Sequence, residues 1–152
     1  MAQKPRRKTP PTASQAHVDG IRPSLQYSVL CDAVQQLPDG GTVIVRPFDT
    51  INRVGDNVIP ASFVIFDGWT SGMGVWNEHL TITDPAGKTI LEVPEQSFWL
   101  QSVWHRHNVQ HNLTVALTDP GTYAVHVFLA NSEILTYRFR FVVHPAPKML
   151  GT

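Results

Sequence analysis

Apolar side chains recur at every second position through the back half of this chain. Tyr123, Val125, Val127 and Leu129 fall on one face of a run that opens at Pro120-Gly121-Thr122. A polar break at Asn131-Ser132-Glu133 follows, and Leu135, Tyr137, Phe139, Phe141 and Val143 then repeat the pattern. Because successive side chains of a strand point to opposite faces, this spacing predicts a hairpin with one face buried. Reading the chain the same way from its start predicts strands over Leu25–Val34, Thr42–Pro47, Ser62–Trp69, Asn77–Thr83, Thr89–Val93 and Val109–Leu117. Thr122–Leu129 and Leu135–His144 complete the set.

Turn residues separate these runs. Pro38-Asp39-Gly40-Gly41 ends the first strand, and Asp84-Pro85-Ala86-Gly87 closes a hairpin with Pro and Gly where a type I turn favours them. Gly55, Asp56, Asn57 and Pro60 mark a loop, Gly68, Gly72 and Gly74 a flexible connection, and Pro94–Arg106 a segment of mixed character. No stretch has helical periodicity. Seven to eight short strands with turns between them predict an all-β, antiparallel sandwich. Gly121-Thr122-Tyr123, at the start of the penultimate strand, matches the tyrosine corner of immunoglobulin-like domains, where the hydroxyl pins an interstrand loop.

Residues 1–22 break the pattern. Pro5, Pro10 and Pro11 interrupt a Lys/Arg/Thr/Ser/Gln segment with too little apolar surface to offset the entropy of ordering. This reads as a disordered basic arm before a domain over 23–145, with 146–152 as a tail. The chain has twelve basic and twelve acidic residues. The arm takes five of the former (Lys4, Arg6, Arg7, Lys8, Arg22) and one of the latter (Asp19), so the remainder has seven against eleven, a net charge of −4. At 152 residues and 42% hydrophobic content, one core of useful size is expected and no second domain.

Cys31 is the sole cysteine and lies in the apolar run Val29-Leu30-Cys31, so it reads as a buried structural thiol with no disulfide. That suits a reducing compartment. The basic N-terminus lacks the apolar stretch of a secretory signal, and no run reaches the roughly eighteen apolar residues of a membrane helix. A cytoplasmic protein with no membrane contact is expected.

The most specific local pieces are Leu25-Gln26-Tyr27-Ser28-Val29-Leu30-Cys31-Asp32, Phe48-Asp49-Thr50-Ile51, Asp84-Pro85-Ala86-Gly87-Lys88 and Gly121-Thr122-Tyr123. On these the chain resembles, over about residues 24–144, an uncharacterised family of small bacterial immunoglobulin-like β-sandwich proteins. The resemblance implies that fold and a bacterial or phage origin, and it brings no catalytic residue with it.

The densest polar group is Trp104-His105-Arg106-His107-Asn108-Val109-Gln110-His111. On a strand His105, His107 and His111 would share a face, and neutral imidazoles are good ligands for zinc, copper or iron. A cupin-like site, however, also wants a Glu shortly after the His pair, and no carboxylate follows before Asp119. Gly87-Lys88-Thr89 copies the end of a phosphate loop, but Ile82 stands where that loop needs its first Gly. Glu92/Glu95 and Asp49/Asp67 are the carboxylate pairs on offer, ordinary for outer strand faces. No cofactor motif is present. Asn112-Leu113-Thr114 fits a glycosylation sequon that a cytoplasmic protein would not use.

Trp69, Trp76, Trp99 and Trp104 flank predicted loops, where aromatics anchor protein partners or stack on sugars. Lys4, Arg6, Arg7 and Lys8 read as a solubilising tail, as a partner-binding arm, or as a weak, salt-sensitive contact for nucleic acid. The sequence therefore points to a non-enzymatic interaction module or structural accessory subunit, with protein partners or self-assembly expected. The alternatives are a cupin-like metalloprotein using the three histidines and a carbohydrate-binding sandwich using exposed tryptophans.

Overall fold

A computed structural model describes residues 20–56 and 58–151, and its regular structure is all strand, with no helix among those residues. Nine strands run in chain order: β1 (Ser24–Gln36), β2 (Thr42–Pro47), β3 (Thr50–Val54), β4 (Ala61–Thr70), β5 (Gly74–Thr83), β6 (Thr89–Leu100), β7 (His107–Val115), β8 (Gly121–Leu129) and β9 (Ser132–His144). They form a four-stranded sheet ordered β2-β1-β4-β7 and a five-stranded sheet ordered β3-β9-β8-β5-β6.

The period-two pattern is what packs the sheets together. Phe63, Ile65 and Trp69 of β4 meet Leu80 and Ile82 of β5, Val125 and Val127 of β8, and Phe139 and Phe141 of β9 in one apolar cluster. Each fully buried aliphatic or Phe side chain there contributes about 1.5–3 kcal/mol relative to exposure. Cys31 is fully buried with Val64 and Phe66 in a smaller cluster on the other face of the four-stranded sheet, as expected of a structural thiol. The Tyr123 hydroxyl donates to the Asp119 carbonyl at 2.7 Å, pinning the link by which the chain crosses from β7 in one sheet to β8 in the other.

Three details differ from the sequence reading. Thr50–Val54, expected to lie in a connection, is a ninth strand, and it runs parallel to β9, with Ile51 opposite Phe141, so the sandwich is not wholly antiparallel. Its length of five residues and its weak alternation hide it. Second, β6 continues through Pro94 to Leu100 instead of stopping at Val93. Proline is tolerated because β6 is an edge strand, and the β5–β6 register shifts between Glu78 and Leu80, where Pro94 lies. Third, the body reaches back to Ile21, inside the expected arm. Ile21 and Met73 exchange both backbone hydrogen bonds, at 3.0 and 2.9 Å. The rest of the expected arm, residues 1–19, lies outside the described residues, and 145–151 carry no regular structure.

Candidate functional site

Three inward-facing strand positions break the apolar rule, one on each of three strands. β4 presents Phe63, Ile65, Asp67 and Trp69 to the interior, β5 presents Trp76, Glu78, Leu80 and Ile82, and β7 presents Val109, His111, Leu113 and Val115. Asp67, Glu78 and His111 are 0%, 0% and 1% exposed. Pairing brings them together: Ile65 lies opposite His111, and Ser28 of β1 lies opposite Asp67. Glu78 lies opposite Gln96 of β6 in the other sheet.

His111 Nε2 sits 2.7 Å from Glu78 Oε1 and 3.8 Å from Asp67 Oδ2. The Trp69 indole N–H donates to Glu78 Oε2. The other ring nitrogen of His111, Nδ1, is 3.3 Å from the side-chain amide nitrogen of Gln96, an exposed residue. Ser28 donates to the Tyr137 hydroxyl at 2.9 Å beside the cluster. Neither carboxyl oxygen of Asp67 has a hydrogen-bond partner in good geometry.

Electrostatics follow from burial. Asp67 is pushed up to about 9, first by desolvation and then by the neighbouring Glu78 carboxyl, with Ser28 and His111 pulling weakly the other way. Burial also raises Glu78 and Tyr137 and lowers His111. In the metal-free cluster Asp67 is thus an acid that keeps its proton near neutrality. The donors, two carboxyls and one imidazole with outer hydrogen bonds that fix their orientation, are suited to holding a proton or a cation. Their lack of solvent contact argues against acid–base work on a diffusing substrate.

The sequence named two members of this cluster, His111 among the histidines and Asp67 in a carboxylate pair with Asp49. His111 is in it, but His105 lies in the β6–β7 connection and is exposed, while half-buried His107 stacks on Phe98 at 5.4 Å between ring centres. Among the described residues the histidine, cysteine and acid side chains close enough to share a metal ion are Asp67, Glu78 and His111. Asp67 pairs with Glu78 and not with exposed Asp49, and Glu92 and Glu95 rim an open groove of about 400 Å³ beside His79. Gly87-Lys88-Thr89 is a turn: Asp84 Oδ1 accepts the backbone N–H groups of Ala86 and Lys88.

The tryptophans divide. Trp69 (0% exposed) and Trp76 (7%) are core residues and are corrected here as partner contacts, since Trp69 stacks on Phe98 and Trp76 donates to the Met73 carbonyl. Trp99 is half-buried. Trp104 is 91% exposed, in the turn that joins β6 to β7. Lys4, Arg6, Arg7 and Lys8 lie outside the described residues.

A two-sheet β-sandwich with a buried acid–histidine cluster and an exposed tryptophan at one end is the class of protein defined by this fold. The family model for a family of unknown function (DUF6941) matches residues 26–142, and the chain belongs to that family. No curated protein matches it. Among solved structures it is similar to an alkylpurine DNA glycosylase, AlkC, of Pseudomonas fluorescens bound to DNA containing an abasic site analogue. The identity is 12%, the TM-score 0.42, and the match covers 75% of this chain and 30% of that one. It is also similar to a β-glucosidase from Listeria innocua in complex with glucose, at 12% identity and a TM-score of 0.49, covering 78% of this chain and 17% of that one. The chain therefore spans less than a third of either enzyme, and neither likeness bears on its activity.

Proposed function

We propose that this domain is a non-enzymatic protein-interaction module, an accessory subunit of a larger assembly, that docks through the end of the sandwich bearing Trp104. The observation that carries the reading is the 91% exposure of that indole. A tryptophan presents about 150–250 Å² of surface, and at about 25 cal/mol per Å² its burial against a partner is worth roughly 4–6 kcal/mol before the costs of association. Tryptophan is also among the residues that dominate interface energetics.

Strand pairing adds a second contact to the same end. Trp69 opposite His107, Ser24 opposite Thr70 and Gly74 opposite Leu100 place the start of β1 beside the Trp104 turn. Lys4, Arg6, Arg7 and Lys8 precede it in sequence, and their positive charge favours an acidic partner surface. The free buried thiol of Cys31 fits a reducing cytoplasm, and we read the source as bacterial or phage.

The test is a comparison of three baits in lysate of the source cell: the full chain, Trp104→Ala, and a chain lacking residues 1–19. A stoichiometric protein partner that weakens at least 30-fold with Trp104→Ala is expected, the equivalent of about 2 kcal/mol. Capture of glycans or nucleic acid instead, or a partner indifferent to Trp104, would overturn the reading.

A further inference from the structure

We propose that Asp67, Glu78 and His111 form a binding site for a single divalent transition-metal ion of the zinc, manganese and iron(II) type, held between the two sheets. This inference does not depend on the docking role proposed above. One donor atom from each of Asp67, Glu78 and His111 lies within 4.8 Å of the other two, and His111 Nε2 is 2.7 Å from Glu78 Oε1 and 3.8 Å from Asp67 Oδ2. An ion about 2.0–2.2 Å from each donor needs donors roughly 3.0–3.5 Å apart, so small side-chain rotations suffice.

Asp67 supplies the independent observation. It is 0% exposed and faces the other two groups, and neither of its oxygens makes a well-formed hydrogen bond, although the Glu78 carboxyl and the Ser28 hydroxyl lie close enough to interact with it. Buried polar atoms in native proteins are nearly always well partnered, so the Asp67 carboxyl has bonding capacity left for a further ligand. Charge agrees with that. An ion that displaces the Asp67 proton would face two carboxylates and a neutral imidazole, a charge of −2 that a divalent cation cancels inside a medium that penalises net charge. Among the described residues no Lys or Arg forms a salt bridge with either acid.

The surrounding hydrogen bonds are those a ligand set needs. The Trp69 N–H holds Glu78 Oε2, leaving Oε1 for the ion, and Gln96, with its amide turned so that Oε1 accepts from Nδ1–H of His111, would leave Nε2 free to ligate. Outer contacts of this kind orient metal ligands and tune their basicity. A set of one nitrogen and two oxygens without thiolate favours zinc, manganese or iron(II) over copper(I), and the imidazole disfavours magnesium and calcium. Asp67 and His111 belong to the four-stranded sheet and Glu78 to the five-stranded one, so the ion would cross-link the two layers.

The full chain without a histidine tag, stripped with EDTA in urea and refolded with zinc or manganese chloride, would be assayed for bound metal by mass spectrometry and titrated by calorimetry. One ion per chain and a raised Tm are expected. Asp67→Asn and His111→Gln should each weaken binding at least 100-fold, while His105→Ala, on an exposed residue, should leave it unchanged. Circular dichroism and tryptophan fluorescence would check that the variants are folded. Should the two core variants fail to fold, Gln96→Ala decides: a 10–100-fold loss of affinity supports the site, and no change overturns it. Less than 0.2 ion per refolded chain overturns it as well, as does binding that is lost with His105→Ala or survives in folded Asp67→Asn.

Discussion

Tyr123 offers a stability test in which two substitutions separate the two parts of one side chain. Its hydroxyl donates to the Asp119 carbonyl at 2.7 Å, and its ring, 1% exposed, stacks on Phe139 at 5.4 Å and meets Phe141 edge-on at 6.2 Å. Tyr123→Phe removes the hydrogen bond and keeps the ring. A net hydrogen bond is worth about 0.5–1.5 kcal/mol, and because Asp119 is exposed its carbonyl recovers water, so a loss of about 1 kcal/mol is expected. For a domain of this size that lowers Tm by roughly 3–5 °C. Tyr123→Ala also deletes the ring and leaves a cavity where the sheets meet, for a loss of about 3–5 kcal/mol. Urea unfolding followed by the fluorescence of buried Trp69 and Trp76 measures both, with far-UV circular dichroism as a second probe of whether the transition is two-state. A Tyr123→Phe variant as stable as the parent would show that the corner bond contributes nothing. One as damaged as Tyr123→Ala would show that the hydroxyl, and not the packed ring, holds the crossover between sheets.

Two further predictions follow from buried contacts. A Cβ on Gly68 would lie 2.3 Å from Cζ of Tyr27, whose ring stacks on Phe66 and whose hydroxyl donates to Asn108, so Gly68→Ala should cost about 1–3 kcal/mol. Chemical denaturation should show most of that cost vanishing in a Tyr27→Ala background, and undiminished destabilisation there would contradict the clash. In the EDTA-treated chain, Asp67 keeps its proton up to about 9 when folded but only to about 4 when unfolded, so the folded state binds the extra proton across that window. Its contribution is fully present below pH 4 and is lost as pH rises towards 9, by up to about 1.4 kcal/mol per pH unit, and the raised Glu78 acts in the same sense. His111, lowered by burial, acts oppositely but only below its ordinary value near 6.5, so urea midpoints measured from pH 7 to 8.5 should fall. Asp67→Asn should flatten that slope, and a flat profile for the parent chain would contradict a buried acid.

Much of the sandwich was legible because alternation survives wherever one strand face is buried and the other is wet. β8 follows that rule at every inward position from Tyr123 to Leu129, and the corner at Tyr123 forms the hydrogen bond its motif implies. The rule fails at β3, whose five residues are too few to show a period, and at Pro94, where proline suggests an end although an edge strand tolerates it. The buried cluster was missed for a different reason. His105, His107 and His111 drew notice by crowding in sequence, whereas the three groups that converge are 11 and 33 residues apart and meet only through pairing across two sheets. A signal was nevertheless present: Asp67, Glu78 and His111 each occupy the inward position of an otherwise apolar alternation. Trp69 and Trp76 misled in the opposite direction, because both lie beside a Gly-rich connection in sequence yet point inward on β4 and β5.

The position of the cluster bears on why an otherwise apolar core would contain it. Replacing buried ion pairs with well-packed hydrophobic residues is often neutral or stabilising, so stability alone does not account for two acids and a histidine at the centre of the sandwich. Directional groups fix relative position in a way that apolar contacts, which tolerate sliding, do not. Here Gln96 on β6 and His111 on β7 bond to each other across the sheets, and these two strands carry the turn that presents Trp104. β6 and β7 are edge strands of different sheets, so no backbone ladder joins them. The Glu78–His111–Gln96 contacts therefore set the spacing of the two strands beneath the exposed indole. An ion bound by Asp67, Glu78 and His111 would tighten that spacing further, coupling occupancy of the interior to the order of the docking end.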